Sequence, residues 1–554
     1  MKKHALMVIL PVLIGLACAA PAPGGVGTGE EVKARVEEGG AGFQCEPEKE
    51  HWRSAGPPRR GGTLTRSGTA AANLDPIAPG PRKSAPSQVY QALFQPRSCF
   101  FGDTTVVPVL AQGWEVTSDG LTWTIKLRDD VKWHNKAPVN GRPFTSADVA
   151  FTIGIQLAGG QLKSFWEGVS HQTPDASTII LRLSEPDSEF LQKLGYFDNV
   201  IVPKEIHERD GDFSKVAVGT GPFMVKEGGL KPEVEEFTTR NPDYYEKGDD
   251  GKPLPYVDEV HSLEFKDYVA EVAAFTAGLL DHTGTFGLLK PEADAYRRAN
   301  PKAPGFEELQ FTHAGIWFNY TKTPWKDVRV RKAISLALVR DDLIASNQGG
   351  AVIAGFVPSA LPEWTWPEAK KRERFKEDKE LAKKLLTEAG YPPGSLNVQL
   401  KTSGQYAQDA EVAQQHLAAV GINTRIEVDG RSFSVILQGY DLEDLAWGVI
   451  GGQPLLSYWV YDLVESRSRL NILKFSDART DTLAAAQKRE MDPTKRKQII
   501  EELQEHLVEM MPYVPTVSRV YYHFSSCRLK NWQPSKPNHN HYGIKVEWLD
   551  RAGC

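Results

Sequence analysis

Aromatic side chains cluster near residue 450, where they could bind a small solute. Trp447 is followed by Tyr458 and Trp459. Flat rings of this kind stack on or enclose solutes in binding clefts, but they also fill hydrophobic cores. Composition alone favours core packing for these three residues.

The titratable residues do not form a recognisable catalytic set. The sequence contains no nucleophile elbow, zinc-protease helix, phosphate-binding loop or kinase signature in a fitting context. His207 and Glu208 lack the second histidine that a zinc protease requires. His539 and His541 could hold a metal from one strand, but their Pro- and Asn-rich surroundings favour a solvated loop. We therefore predict a protein without catalytic residues, metal or cofactor.

The composition is that of a globular chain with several lobes. At 554 residues it exceeds one typical domain, and 25% charged with 41% hydrophobic residues is ordinary for a globular protein. The formal net charge of −6 does not indicate nucleic-acid binding. We expect a monomer with no nucleic-acid partner.

The first residues predict a leader followed by a lipid-anchored linker. Two lysines precede an apolar run, Ala5 to Ala17, that is too short to span a bilayer. The residues Gly15-Leu16-Ala17-Cys18 resemble a bacterial lipobox. Residues 1–17 would then be a signal peptide, and Cys18 the lipidated first residue of a linker over 18–62. Cleavage by ordinary signal peptidase, one or two residues further along, is the alternative.

A stretch from Val106 to Phe151 predicts two paired strands and the start of a helix. Residues 121–127 alternate apolar and polar side chains, which is the period of a strand with one buried face. Asp119-Gly120 offers the positive φ of a tight turn. Thr145 and Asp148 have the spacing of a capping box. Further helices are predicted over 321–347, 377–390, 405–421 and Pro493 to Met510.

The same stretch carries a family resemblance. The order VVPVLAQGWEVTSDGLTWTIKLRDDVKWHNKAPVNGRPFTSADVAF resembles the signature of the family-5 solute-binding proteins of ABC importers. These are receptors for oligopeptides, dipeptides and nickel chelates, with some for oligosaccharides. His134-Asn135-Lys136 stands where His-Asp-Gly is usual, and Gly113 where serine is usual; both positions look structural. Further matches follow in the family's order from about Gly61 to about Leu529: Gly61-Gly62-Thr63-Leu64, Leu74-Asp75-Pro76, Gly219-Thr220-Gly221-Pro222-Phe223, Asn241-Pro242-Asp243-Tyr244-Tyr245, Phe318-Asn319 with Asp327 to Ala333, Glu388-Ala389-Gly390-Tyr391 and Pro512-Tyr513-Val514-Pro515.

The resemblance implies an α/β fold, a three-lobed periplasmic binding protein of type II, class C. By the family's topology, lobe II would span 87–187 and lobe III 283–510, while lobe I would combine 63–86, 188–282 and 511–554. Lobes I and III would form a clamp joined by two crossing segments. Two such segments make a hinge, because bending them changes few backbone angles while both cores stay intact.

The function implied by the resemblance is that of a receptor. Such a protein captures a peptide or other small solute outside the cytoplasm, in the periplasm or at the cell surface, and delivers it to the subunits of an ABC permease. It is not an enzyme. An oligosaccharide receptor of the same family is one alternative. A secreted α/β hydrolase, from a different class, would need a paired nucleophile and base that the sequence does not supply.

The resemblance also implies a ligand site with one departure from the peptide-binding pattern. Peptide-binding relatives carry a tryptophan and, three residues later, an aspartate that pairs with the ligand's α-ammonium. Trp447 keeps its position, but Ile450 replaces the aspartate. Because a buried ammonium without a counter-charge is costly, we predict weak or absent binding of di- and tripeptides. Either another carboxylate, such as Asp462 or Glu443, substitutes, or the solute lacks an ammonium.

The remaining predicted ligand contacts come from two other parts of the chain. In relatives the Leu-Asp-Pro loop faces the tryptophan segment across the cleft. We therefore expect Asn73, Leu74 and Asp75, together with Asn319, to line the groove opposite the aromatic residues.

Four cysteines remain if Cys18 is lipidated. They permit two disulfides among three pairings in an exported protein; they are Cys45, Cys99, Cys527 and Cys554. Because the family topology brings both chain ends to lobe I, we expect at least one disulfide, with Cys45 bonded to Cys554 or to Cys527. Four unpaired thiols would be the alternative.

Overall fold

The computed structural model describes most of the chain as alternating helices and strands. The described residues are 56–70, 73–78, 84–96, 105–196, 198–284, 287–309, 311–430, 443–450, 452, 455–532 and 544–550. The strands are β1 (Thr63–Ser67), β2 (Phe94–Pro96), β3 (Val106–Pro108), β4 (Ala111–Val116), β5 (Thr122–Leu127), β6 (Val169–Asp175), β7 (Thr178–Leu183), β8 (Phe223–Lys231), β9 (Glu235–Arg240), β10 (Glu259–Leu263), β11 (Gly305–Leu309), β12 (Ala314–Phe318), β13 (Ala351–Ile353), β14 (Leu396–Ser403), β15 (Ile422–Asp429), β16 (Leu445–Val449), β17 (Val514–Pro515), β18 (Val517–Phe524), β19 (Leu529–Lys530) and β20 (Trp548–Leu549). The α-helices are α1 (Ser84–Val89), α2 (Ser146–Gly159), α3 (Lys163–Trp166), α4 (Phe190–Leu194), α5 (Lys204–Asp210), α6 (Tyr268–Thr276), α7 (Lys290–Ala299), α8 (Thr323–Lys326), α9 (Val328–Ala337), α10 (Arg340–Ser346), α11 (Glu368–Arg374), α12 (Lys379–Glu388), α13 (Ala407–Ala419), α14 (Ala478–Arg489) and α15 (Pro493–Met510).

The N-terminal part of the chain forms two four-stranded sheets. One has the order β1-β10-β9-β8, in which only the β1–β10 pair is parallel. The other has the order β4-β5-β7-β6 and is antiparallel. A large core with residues from Leu74 to Val218 packs around the second sheet. A smaller core joins Leu64 and Phe223 of the first sheet to Leu529.

The predicted hairpin and helix start are both present. β4 pairs with β5 across a turn in which Gly120 has a φ of +70° and the Asp119 carboxylate accepts a hydrogen bond from the Leu121 N–H. Gly120 alone of the predicted pair takes the positive φ. Thr145 and Asp148 form the reciprocal capping box at the start of α2. Local sequence signals therefore decide this segment.

The histidine of the signature stretch docks on the Gly219–Phe223 motif. His134 Nδ1 accepts a hydrogen bond from the Gly219 N–H at 3.3 Å, and Nε2 donates to the Gly221 carbonyl at 2.9 Å. Burial lowers the pKa of this imidazole to about 4, so it stays neutral. A side chain at Gly219 would collide with the Val89 carbonyl, since a Cβ there would lie 1.9 Å from it. We conclude that His134 has a structural role within the N-terminal part.

The C-terminal part of the chain has its own sheet and core. The sheet order is β15-β14-β16-β12-β17, with β14 parallel to both neighbours and β12 antiparallel to β16 and β17. The core residues run from Phe311 to Val517. We refer to this unit as the C-terminal body and to the parts around the two N-terminal sheets as the N-terminal body.

Three of the four predicted helical stretches form as single helices, and one is broken. The structure places α12, α13 and α15 within or close to the predicted ranges. The stretch 321–347 instead contains three helices, α8, α9 and α10. The break before α10 coincides with the Arg340 guanidinium, which donates to the carbonyls of Ser335 and Pro515. A tertiary contact thus competes with helix continuation there, which periodicity does not reveal.

Two backbone segments connect the bodies and pair with each other. β11 leads into the C-terminal core, and β18 leads back out of it; the two strands are antiparallel neighbours from Gly305–Phe524 to Leu309–Val520. Val517 belongs to the C-terminal core, while Tyr522 and Phe524 pack with Ala293 and Phe275 on the N-terminal side. The strands at 514–524, which were predicted to begin the last part of lobe I, therefore share sheets with strands between 305 and 353.

Several predictions concern residues that lie outside the described part of the chain. These are the leader over 1–17, Cys18, most of the linker over 18–62, and His539 with His541. The prediction of at least one disulfide is confirmed, because Cys527 is disulfide-bonded. Its partner belongs to the residues that are not described.

Candidate functional site

The candidate site lies where β12 begins and β16 ends. These antiparallel strands are in register through Ala314–Val449 and Ile316–Trp447. Side chains alternate between the two faces of a sheet, and directly opposed residues share a face. Continuing the register by one residue pair places His313 opposite Ile450, at one end of these two strands. Ile450 holds the position at which the peptide-binding pattern has an aspartate.

A cluster of rings lies on one face of the sheet at this end of the strands. We call it the aromatic face, and it consists of His313, Trp317, Trp459 and Tyr513. The His313 ring lies 4.7 Å from the Trp459 ring centre and 5.6 Å from that of Tyr513. The Tyr513 ring also stacks on Trp317 at 4.4 Å. All four side chains are buried. The predicted contact Trp459 therefore belongs to a continuous aromatic surface.

Trp447 lies on the opposite face of the same sheet. It stands across from Ile316, while the aromatic face carries the alternate residues His313 and Trp317. The Trp447 side chain is fully buried, and its Nε1 finds no hydrogen-bond partner among the described residues. The structure thus brings Trp459 together with His313 but does not bring Trp447 to that surface.

Ile450 and Tyr458 flank the aromatic face. Ile450 is buried in the C-terminal core at 7% exposure. Tyr458 packs edge-on against Trp459 with ring centres 5.2 Å apart, in a single π-helical turn over Tyr458–Asp462. Burial, with Asp462 and Tyr196 nearby, raises the pKa of the Tyr458 hydroxyl far above its usual value. Its phenol therefore stays neutral and can donate a hydrogen bond.

Asn319 lies away from this group. It follows β12, and its N–H donates to the Asp444 carbonyl just before β16, so it sits at the end of the pair opposite Ile450. Six residue steps along the strand, from His313 to Asn319, separate the two ends by about 20 Å. The Asn319 amide donates to the Glu443 carbonyl and accepts from the Thr321 N–H. Through these bonds the Asn319 side chain stabilises the turn that follows β12.

The loop Asn73-Leu74-Asp75 belongs to the N-terminal body. Leu74 is buried in the core there, and its N–H donates to the Ser214 carbonyl. The Asn73 side chain accepts from the Asp75 N–H, and the Asp75 carboxylate accepts from the Ile77 N–H. These internal bonds fix the conformation of the loop.

The two bodies meet at a carboxylate that sequence reasoning missed. Glu189, just before α4 of the N-terminal body, accepts hydrogen bonds from the N–H groups of Leu456 and Ser457 at 2.8 and 2.9 Å. Arg496 lies 3.3 Å from the same carboxylate. A carboxylate on free N–H groups at the start of a helical segment is a favourable cap. Glu189 therefore holds the segment that carries Tyr458 and Trp459, and we call this the Glu189 contact.

A second carboxylate beside this contact, that of Asp462, has a raised pKa. Burial raises the pKa of Asp462 to about 6, although Lys193 and Lys488 lower it and Glu189 raises it further. Lys193 itself forms an ion pair with Asp187. Asp462 was predicted as a substitute for the missing aspartate. The structure places it at the contact between the bodies, in the same helical turn as Tyr458.

The described part of the chain offers neither a cluster of metal ligands nor a membrane-spanning helix. Within the described segments, no group of three or more His, Cys, Asp or Glu residues is arranged to hold a metal ion. The helices of those segments are each too short or too polar to cross a bilayer.

A protein-family model matches more than half of the chain, including the strands of the candidate site. The model of the bacterial extracellular solute-binding proteins, family 5 Middle, matches residues 105–463. The chain belongs to this family. The match spans the signature hairpin, both strands of the candidate site and the turn at Tyr458, so the resemblance predicted from the sequence is confirmed.

Curated relatives cover different parts of the chain. A Brucella abortus (strain 2308) protein, named as a candidate ABC transporter peptide-binding protein, is 30% identical over 348 residues, covering 57% of this chain and 59% of that protein. The chain thus spans about three fifths of the length of the first such relatives. Heme-binding protein A of Haemophilus influenzae is 25% identical over 500 residues, covering 83% of this chain and 87% of that protein.

Solved structures confirm the predicted fold class, the α/β periplasmic binding protein of type II. The periplasmic binding protein DppA from Helicobacter pylori, in complex with the peptide STSA, aligns with a TM-score of 0.74 at 23% identity over 89% of this chain and 99% of that one. The AgaA protein with agropinic acid, from A. tumefacien R10, aligns with a TM-score of 0.73 at 23% identity over 88% and 99%. At this identity the likeness establishes the fold alone.

Proposed function

We propose that this protein is an extracytoplasmic receptor that closes on a peptide or other small solute and delivers it to an ABC permease. The observation that carries the proposal is the pair of crossing strands. β11 and β18 are paired with each other, and they join cores that are otherwise packed separately. A paired two-strand connection bends as one unit, which lets two bodies separate and close around a solute.

The Glu189 contact supports a closed arrangement of the bodies. Ser188, beside Glu189, donates its N–H to the Lys488 carbonyl, and Arg489 forms an ion pair with Glu185. The residues of these two additional contacts are exposed or half-buried, whereas Glu189, Leu456 and Ser457 are buried. The partly exposed contacts can be broken and remade at modest cost, while opening for loading also requires water to replace the bonds of the buried Glu189 carboxylate.

The nature of the solute follows from the residues of the site. Heme, dipeptides and peptides are named for relatives of this chain. Ile450 supplies no charge for an α-ammonium, so we infer a solute whose bound group is uncharged or anionic, such as an internal peptide segment or an oligosaccharide. Trp459, Tyr458 and Ile450 support one wall of the site, and the loop Asn73-Leu74-Asp75 remains a proposed opposite wall.

Solute capture tests the proposal directly. The purified protein would be mixed with a tryptic casein digest, with the same digest after acetylation of its amines, and with malto-oligosaccharides, and then examined by native mass spectrometry. A receptor should retain unchanged members of one mixture and gain thermal stability, by about 2.7 kcal/mol at a solute concentration of 100 times Kd. Retention of nothing from all three mixtures, or release of cleaved products, would refute a receptor for these solute classes.

The predicted lobe boundaries and the monomeric state are also part of this proposal.

The proposal includes a membrane anchor. We place the protein on the outer side of the cytoplasmic membrane, held by a lipid on Cys18, because Gly15-Leu16-Ala17-Cys18 follows an apolar leader. In a bacterial host the wild type should sediment with membranes, and Cys18→Ala should move it to the soluble fraction. Unchanged sedimentation of the variant would exclude lipidation at Cys18.

A further inference from the structure

His313 is a buried polar side chain whose ring nitrogens are not used by the fold. It is 1% exposed, and neither Nδ1 nor Nε2 has a hydrogen-bond partner among the described residues. Burying a polar group without a partner costs about 1–3 kcal/mol. Native proteins keep few such groups, and each calls for an explanation. An apolar residue of similar size would fill the same place more cheaply.

The position of His313 points to a solute as the missing partner. His313 lies at the end of the strand pair, opposite Ile450. Its ring packs on Trp459, which belongs to the segment that the Glu189 contact holds. When the bodies separate, that contact must break, so the surface next to Trp459 is the one that changes its surroundings. A solute that enters before closure then meets the imidazole at the base of the site.

The electrostatic surroundings favour an oxygen atom over an ammonium group. Burial, and to a smaller extent the nearby Lys371 ammonium, lowers the pKa of His313 to about 3, so the ring is neutral. Lys371 is itself held by the Ile353 carbonyl and the Ser359 hydroxyl and forms an ion pair with Glu368 at 3.2 Å. A neutral imidazole has one N–H to donate. The ring N–H can donate to a carbonyl, hydroxyl or carboxylate oxygen, whereas a solute ammonium would find no negative charge on the ring or on the neighbouring Ile450.

We propose that His313 is a specificity-determining residue that donates a hydrogen bond to an oxygen of the solute, at a subsite that does not accept an ammonium. The proposal rests on the proposed receptor function and narrows its solute class. It explains together why the imidazole is left unsatisfied by the fold, why aromatic rings enclose it, and why Ile450 stands where a carboxylate would serve an amine.

The test compares three proteins with the solute mixtures named above. His313→Phe keeps a planar ring against Trp459 and Tyr513 but removes the donor, whereas His313→Gln retains a donor. The wild type should capture members of the acetylated digest or of the malto-oligosaccharides. His313→Phe should lose that capture by about 10-fold or more, the value of one hydrogen bond to a buried group. His313→Gln should keep part of it.

Thermal unfolding of the same variants without solute separates a binding role from a structural one. If the fold does not use the imidazole, His313→Phe should melt at the wild-type temperature or above it. A fall of several degrees would show that internal bonds satisfy His313 and would overturn the inference. Equal capture by wild type and His313→Phe would overturn it as well, as would wild-type capture confined to peptides with free amines; in both cases the receptor function would stand. Capture of nothing by the wild type would refute a receptor for these solute classes and the inference with it.

Discussion

Two buried histidines, one in each body, differ in how the fold uses their ring nitrogens. In the N-terminal body, His134 is bonded at both nitrogens, to the backbone of Gly219 and Gly221. In the C-terminal body, His313 is bonded at neither among the described residues, and it lies against rings next to the contact between the bodies. Both imidazoles have lowered pKa values because both are buried. The comparison indicates that the first serves the fold and that the second is available to a bound molecule.

The largest expected effect is on the histidine that the fold uses. His134→Phe should reduce the free energy of unfolding by about 2–4 kcal/mol, because the Gly219 N–H loses its partner inside the core. Denaturant unfolding measures this change. His313→Phe is the matched control, with the same substitution at an equally buried site. Equal losses for both variants would remove the distinction between the two histidines.

The contact between the bodies should respond next. Glu189→Gln should weaken the closed arrangement by about 1–3 kcal/mol, because one of the two oxygens that accept from the Leu456 and Ser457 N–H groups becomes an NH2 group, and the neutral amide cannot pair with the Arg496 charge. Small-angle scattering should then show a larger radius of gyration without solute. Glu208→Gln, at an exposed surface pair with Lys204, is the control and should leave the radius unchanged. An unchanged radius for Glu189→Gln would deny this contact a part in closure.

A smaller, pH-dependent effect is expected at Asp462. Its pKa is raised from 3.8 to about 6, so between these values the folded protein holds a proton that the unfolded chain releases. The stability that this proton contributes is fully present below pH ~4 and is lost as the pH rises through about 6. Asp462→Asn, which mimics the protonated form, should therefore be more stable than the wild type by about 1–2 kcal/mol at pH 8, the carboxyl being partly exposed.

The difference between Asp462→Asn and the wild type should vanish near pH 4, where both are uncharged at this position. Chemical denaturation at several pH values checks this course. If the difference in unfolding free energy between the variant and the wild type stayed constant with pH, the Asp462 carboxyl would have an ordinary pKa. Its surroundings would then be as well hydrated as the protein surface.

The smallest expected change in stability is at His313 itself. His313→Phe should leave the free energy of unfolding unchanged or raise it by less than about 1 kcal/mol, since a polar atom without a partner is replaced by an apolar one. Calorimetric unfolding without solute measures it. Set beside His134→Phe, this value shows whether burial alone or hydrogen bonding makes a histidine necessary to the fold.

The sequence determined the local elements and the family. The hairpin with Gly120 and the capping box of Thr145 and Asp148 depend on residues a few positions apart, so their pattern is legible before folding. The replacement of aspartate by Ile450 is equally a property of the sequence. Helix 321–347 was predicted as one element because periodicity does not register the Arg340 contacts that end α9.

The tertiary structure alone decided which of the predicted site residues meet. Strand register sends Trp447 to one face of the sheet and His313, with Trp459, to the other, and it leaves Asn319 at the far end. Glu189 and Leu456 are separated by 267 positions in the chain, and no local pattern marks their pairing. A sequence records which side chains are available. Which polar groups remain without a partner is fixed only when distant strands pack, because hydrogen bonds and burial depend on distance in space.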